Sequence, residues 1–264
     1  MRITIKKKRG SSVANIQKRA NTNHDTGLLG LLACAFMVVD HVGVVFFPRL
    51  IWMRVIGRIA LPLFAWGIAI GATHTRNIGK YALRLLITMV ISQPFFMLAL
   101  NHGLSHLNIF ATLLLGLIGI WGIKEKKEWM TILALLCTQS TFFTMDYGIR
   151  GVLCVMLLWA VHDKPLWLLI CFPAYCVYWG RTSSAIWTIP FLPQALQPLR
   201  LQTTAVLALP LMLIPKQKRT RTPRLVMYSF YPVHLAILWG VKAAQLAWQR
   251  QEGWIVKIAN WFGI

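Results

Sequence analysis

Asp40 and His41 stand side by side inside the uninterrupted apolar run 28–47. A run of that length matches the roughly 20 residues that cross the hydrocarbon of a bilayer. An ionisable side chain at the centre of such a span costs on the order of 2.5–3.5 kcal/mol, so residues kept there are candidates for chemistry. Histidine, with an ordinary pKa of about 6.5, suits a general base or a proton relay. Adjacent helical residues point about 100° apart, so Asp40 is expected to turn away from His41, toward a cation or a substrate ammonium. Arg54 and Arg58 supply cations at i,i+4 spacing on one face of the next segment. Asn108 and Thr112 repeat that spacing, Asp146 and Tyr147 lie at a span boundary, and Tyr228, Tyr231 and His234 recur every three residues in the last apolar run. Arg58, Asn108 or Tyr231 could donate hydrogen bonds to a developing oxyanion. His102 and His106 fall in an uncharged loop and read as solvated. Cys34, Cys137, Cys154, Cys171 and Cys176 lie in apolar segments without CxxC spacing, so neither a disulfide framework nor a metal site is expected.

The elements that would position these residues are membrane spans. Of the 264 residues 57% are hydrophobic, above the roughly 45–50% of soluble domains, and the mean hydropathy is +0.58. The net charge of +21, from 28 Lys and Arg against 7 Asp and Glu, sits mainly in short loops. Cytoplasmic loops and anionic lipid headgroups explain that pattern, and nucleic acid is not an expected partner. No cleavable signal peptide is expected.

The pattern predicts an all-α, polytopic bundle of about nine spans: 28–47, 51–71, 83–100, 107–123, 129–144, 149–161, 166–180, 201–214 and 225–243. Three parts are expected: a basic cytoplasmic tail over 1–27, a transmembrane domain over 28–243 and an amphipathic C-terminal segment over 244–264. Pro94 should kink the third span, and prolines 190, 193 and 198 argue against a single helix over 181–200. With residue 1 inside, the loops near 74–82, 124–128, 162–164 and 215–224 are also inside, and all carry Lys or Arg. The candidate polar residues then converge in the outer half of the bilayer.

Five strings, in order, carry a resemblance. They are Met37-Val38-Val39-Asp40-His41-Val42-Gly43, the stretch from Arg54 through Arg58 and Pro62 to Trp66, Asn108-Ile109-Phe110-Ala111-Thr112-Leu113, Asp146-Tyr147-Gly148-Ile149-Arg150-Gly151, and Tyr228-Ser229-Phe230-Tyr231-Pro232-Val233-His234. Over about 28–240 the chain resembles the TraX family, the F-pilin acetylases, within a broader superfamily of transmembrane acyltransferases. The resemblance implies a bacterial inner-membrane enzyme that moves an acetyl group from acetyl-CoA to the N-terminal amine of pilin. On that basis His41, Asp40 and Arg58 are the candidate catalytic residues. Arg54, Asn108, Thr112, Asp146, Tyr147, Tyr231 and His234 are candidates for the acceptor site, and Arg76, Lys80 and Arg84 for the CoA phosphates. An acetyl-histidine intermediate, a proton- or ion-coupled transporter built on the same buried charges, and O-acetylation of envelope glycans stay open at this point.

Overall fold

The computed structural model describes residues 26–182, 201–214 and 222–262. Most of the basic tail, the proline-rich part of 181–200 and the loop 215–221 lie outside the described residues. The helices in chain order are α1 (Thr26–Val45), α2 (Ile51–Gly57), α3 (Ala60–His74), α4 (Ile78–Leu100), α5 (Ile109–Lys124), α6 (Glu128–Cys137), α7 (Gly148–Val161) and α8 (Pro165–Thr182). A 3₁₀ helix, Leu201–Ala208, then continues as α9 (Leu209–Leu213), and α10 runs over Arg224–Phe262.

Sequence signals set several boundaries. Asn77 caps α4, its side chain accepting from the Lys80 N–H, and Asn101 ends that helix in the left-handed region at φ 58°. Asn108 caps α5 by accepting from the Phe110 N–H at 3.0 Å. The fold is helical as expected, with one two-residue parallel pair between β1 (His106–Leu107) and β2 (Thr144–Met145). The expected count of about nine spans is not confirmed. Among the described residues four segments are long and apolar enough to cross a membrane: Thr26–Val45, Ile51–His74, Ile78–Leu100 and Leu225–Arg250. Helices α5, α6 and α7 have 16, 10 and 14 residues, or roughly 24, 15 and 21 Å at 1.5 Å per residue. Each is short of a hydrocarbon core of about 30 Å. The expected second span is itself broken at Arg58–Ile59, between α2 and α3.

The core forms around α3 and α5, with Leu61, Trp66, Ala69, Leu117 and Ile120 fully or almost fully enclosed. Small residues allow close packing there: a Cβ on Gly116 of α5 would stand 2.7 Å from Val155 of α7. Large apolar side chains face outward from α4 (Leu83, Ile87, Val90, Ile91), α6 (Trp129, Ile132, Leu133, Leu136) and α8 (Leu166, Trp167, Ile170). Exposed apolar faces of this extent belong in lipid, and the chain is a membrane protein by this pattern.

Helix directions sort the two ends of the bundle. The Lys124 ammonium donates to the Ala72 carbonyl at 2.7 Å, Thr73 meets His162, and Gly30 packs against Met227. The loops near 74–78, 124–128 and 161–165 therefore share one basic end. At the other end Lys242 donates to the Ala99 carbonyl, Arg150 donates to the Thr182 carbonyl, and β1 meets β2. His41 is four residues from the end of α1 on this second side. In a background without native cysteines, single cysteines at 103 and 142 should react with an impermeant maleimide from outside. Those at 126 and 163 should react only after permeabilisation, and outside labelling at 126 would reverse the orientation.

Candidate active site

Helix α1 delivers Asp40 and His41 to different neighbours, as the 100° step requires. Asp40 turns toward the α2–α3 break. Its Oδ2 accepts from Arg54 Nη1 at 2.9 Å and from Arg58 Nη2 at 2.8 Å, and Oδ1 accepts from the same Nη2 at 3.0 Å. Gly57 makes this approach possible, because a Cβ there would occupy the space of the Asp40 side chain. Arg58 Nη1 also donates to Gln202 Oε1 at 3.4 Å, and its guanidinium lies 5.9 Å from the Tyr147 ring centre. Arg58 Nε, which is buried, has no partner among the described residues.

His41 turns toward α10. Its Nδ1 is 2.8 Å from His234 Nε2, and the two rings lie edge to edge, 6° from coplanar, with centres 5.1 Å apart. His234 Nδ1 lies 3.0 Å from the Phe230 carbonyl. A carbonyl only accepts, so His234 Nδ1 carries a hydrogen and, in the neutral ring, Nε2 is an acceptor. His41 Nδ1 must then be the donor of the pair, which leaves the lone pair on His41 Nε2. Among the described residues no hydrogen bond engages that atom. Tyr231 stands edge-on to both imidazoles, and its buried hydroxyl makes no hydrogen bond of normal geometry. A small cavity is lined by His41, Asp40, Gly57, Asp146, Tyr147 and Tyr231, together with Met37, Ala60 and Ile109. A second, apolar cavity lined by Cys34, Phe64, Phe110, Leu113, Met227 and Phe230 shares Met37, Ile109 and Tyr231 with the first. Cys34 and Met227 place it on the side of the basic end.

A family model described as TraX protein matches residues 26–242. The chain belongs to the TraX family. It is similar to a probable fimbrial assembly protein FimC, serogroup H1, of Dichelobacter nodosus, with 28% identity across 81% of this chain and 94% of that protein. It is also similar to the uncharacterized protein RP591 of Rickettsia prowazekii (strain Madrid E), with 28% identity across 58% of this chain and 63% of that protein. No solved structure matches it.

In this TraX protein Asp40, His41, Arg54, Arg58, Asp146, Tyr147, Tyr231 and His234 gather around one cavity. Asn108 and Thr112 do not line it. Asn108 is fully buried, and both its amide hydrogens are spent, on the Met89 carbonyl and on Gln93 Oε1, each at 2.9 Å. Thr112 packs under Gly151. Arg76, Lys80 and Arg84 lie at the basic end, around the start of α4, away from His41. Arg84 stacks on Tyr81 at 5.7 Å.

Three residues outside the sequence-derived set take part in the TraX site. Gln202 holds Arg58, and its only signal was a polar side chain in an apolar run. Gln93 ties α4 to both Asn108 and the His106 carbonyl. His106, read as solvated, meets Asp146 Oδ1 through Nε2 at 3.2 Å. Burial holds the neighbouring His102 imidazole below its ordinary range, and His106 adds to this against the pull of Asp146.

Removing one member of a buried ion pair typically costs about 3–5 kcal/mol, because the partner charge is stranded. Asp40→Asn and Arg58→Gln should each destabilise by an amount of that order in denaturant unfolding of the detergent-solubilised protein. The double variant should lose clearly less than the sum. Strict additivity would mean that the contact is not energetic.

Proposed function

We propose that the protein is a membrane-embedded acetyltransferase that moves an acetyl group from cytoplasmic acetyl-CoA to an amine on the outer side, the N-terminus of a pilin or pilin-like protein. The observation that carries this reading is the 2.8 Å contact between His41 Nδ1 and His234 Nε2, which leaves His41 Nε2 free beside a cavity that Tyr231, with an unpartnered hydroxyl, also lines. Family membership and the fimbrial assembly relative support a pilin-related acceptor.

The chemistry is balanced by groups already present. A neutral amine attacks the thioester carbonyl carbon. The C–N bond forms as the C–S bond breaks, and His41 Nε2 accepts the proton that the nitrogen loses. His234 Nε2 holds the resulting imidazolium through the Nδ1–H bond, the part a carboxylate plays in a hydrolase triad. The same proton then goes to the leaving thiolate, giving the CoA thiol. The unpartnered Tyr231 hydroxyl and Arg58 Nε–H are the donors for the oxyanion. Buried donors without partners are uncommon, and a bound carbonyl would satisfy them. The thioester arm is assigned to the apolar side of the site, where the two small cavities have Met37, Ile109 and Tyr231 in common. Arg76, Lys80 and Arg84 remain the proposed contacts of the CoA phosphates. Asn108, with its amide hydrogens committed, serves to position β1 and α5.

Purified protein in detergent, given acetyl-CoA and a peptide with the pilin N-terminus, should release CoA only when the peptide is present. General-base catalysis is worth about 10²–10⁴-fold. His41→Ala should therefore lose at least about 100-fold in turnover while the protein remains monodisperse at normal yield. Near-normal turnover in that variant would remove the base from the mechanism. Substrate flux in liposomes without CoA release would instead mark a carrier.

A further inference from the structure

A second cluster of ligating side chains lies at the end of the bundle where His41 sits, on the loop after α4 and the strand before α7. His102 and His106 stack with ring centres 4.4 Å apart, and the Phe96 ring stacks on both, at 4.9 and 5.9 Å. One ligand atom from each of His102, His106 and Asp146 lies within 4.8 Å of the others. The side chains of His106 and Asp146 are 26% and 24% exposed, so an ion and a water could reach them.

We propose that His102, His106 and Asp146 form a Zn²⁺ site at the mouth of the cavity that holds His41. Three features of the geometry support it. First, the distances fit. Two ligand atoms at about 2.0–2.1 Å from a tetrahedral zinc stand roughly 3.3 Å apart, and His106 Nε2 is 3.2 Å from Asp146 Oδ1. His102, half-buried in the stack with Phe96, already has a ligand atom within 4.8 Å of both others. Second, the outer partner that a metal-bound imidazole needs is in place: His106 Nδ1 lies 2.8 Å from Thr144 Oγ1. Third, the backbone holds the ligands in register although they are 40 residues apart. The Thr144 N–H donates to the Ser105 carbonyl at 2.9 Å, the Asp146 N–H to the Leu107 carbonyl at 3.2 Å, and Gln93 fixes the His106 carbonyl at 2.7 Å. Two imidazoles and one carboxylate fit zinc better than magnesium or calcium, which prefer all-oxygen sets, or copper(I), which prefers sulfur; iron(II) takes the same donors in octahedral geometry. Three protein ligands leave the fourth position to water.

The site has a consequence for the cavity, because Asp146 belongs to both. Zinc there would fix the Asp146 side chain, offset its charge beside His41 and pin the outer loop to the start of α7. The binding claim stands apart from acetyl transfer, so either can fail alone.

The test is isothermal titration of untagged, full-length, chelator-treated protein in detergent with ZnCl₂. The wild type should bind one ion per chain, and Co²⁺ should give the intense visible bands of a tetrahedral site. His106→Ala and His102→Gln should each weaken binding at least tenfold. Thr144→Val, which removes only the outer partner, should weaken it about 10–100-fold. His74→Ala and His162→Ala, at the basic end, should leave it unchanged. A wild type without a saturable site would overturn the proposal. So would unchanged affinity in both His106→Ala and His102→Gln, since the ion would then be bound elsewhere.

Discussion

One carboxylate organises the reactive end of this bundle. Asp40 is the sole acid among the described spanning segments, and two guanidinium groups close on it at 2.8–2.9 Å. A lone buried charge in such surroundings would cost several kcal/mol, so the three side chains hold one another in place. The contact joins α1 to the point where the second apolar segment breaks. Arg58 sits in that break; its Nη1 reaches Gln202, and its buried Nε has no partner among the described residues. Interrupted helices place polar backbone and side chains at membrane depth where they line a cavity. Here the interruption and its counter-charge are fixed by the same ion pair.

His41 depends on that anchor indirectly. With Asp40 committed to the arginines, the carboxylate is not available to orient the imidazole next to it, and α10 does so instead. His234, fixed through Phe230, holds the imidazole by its Nδ1 and leaves Nε2 free. Pairing with a neutral ring avoids placing a second acid, this one without a counter-charge, in the apolar interior. It also makes the proposed base a property of two helices separated by most of the chain, α1 and α10.

Much of this was legible in the sequence. The Asp40–arginine contact followed from the scarcity of acids and from the i,i+4 spacing of Arg54 and Arg58. The Tyr231–His234 stripe followed from a three-residue recurrence. The break at Arg58 was not read from the sequence, although Pro62, in the first turn of α3, carried its signal: a proline has no N–H for the carbonyl four residues back, here that of Arg58. The count of about nine spans is not confirmed, because hydropathy marks apolar helices without separating those that cross from short ones enclosed by others, and four of the described segments are long and apolar enough to cross. Asn108 looked available in sequence, but capping α5 and bonding to α4 use up its amide hydrogens. His106 looked solvated because its partners, Thr144 and Asp146, lie far along the chain, and a two-residue strand pair leaves almost no periodic signal.

The most direct test is the tautomeric state of the two imidazoles, read by ¹⁵N NMR of histidine-labelled protein in nanodiscs, with His41→Gln and His234→Gln to assign the signals. Near neutral pH, His41 should be protonated at Nδ1 and bare at Nε2, and His234 should be protonated at Nδ1. Replacing His234 should release His41 into a mixture of tautomers. A His41 ring with its hydrogen fixed on Nε2 in the intact protein would contradict the account, because no lone pair would then face the cavity.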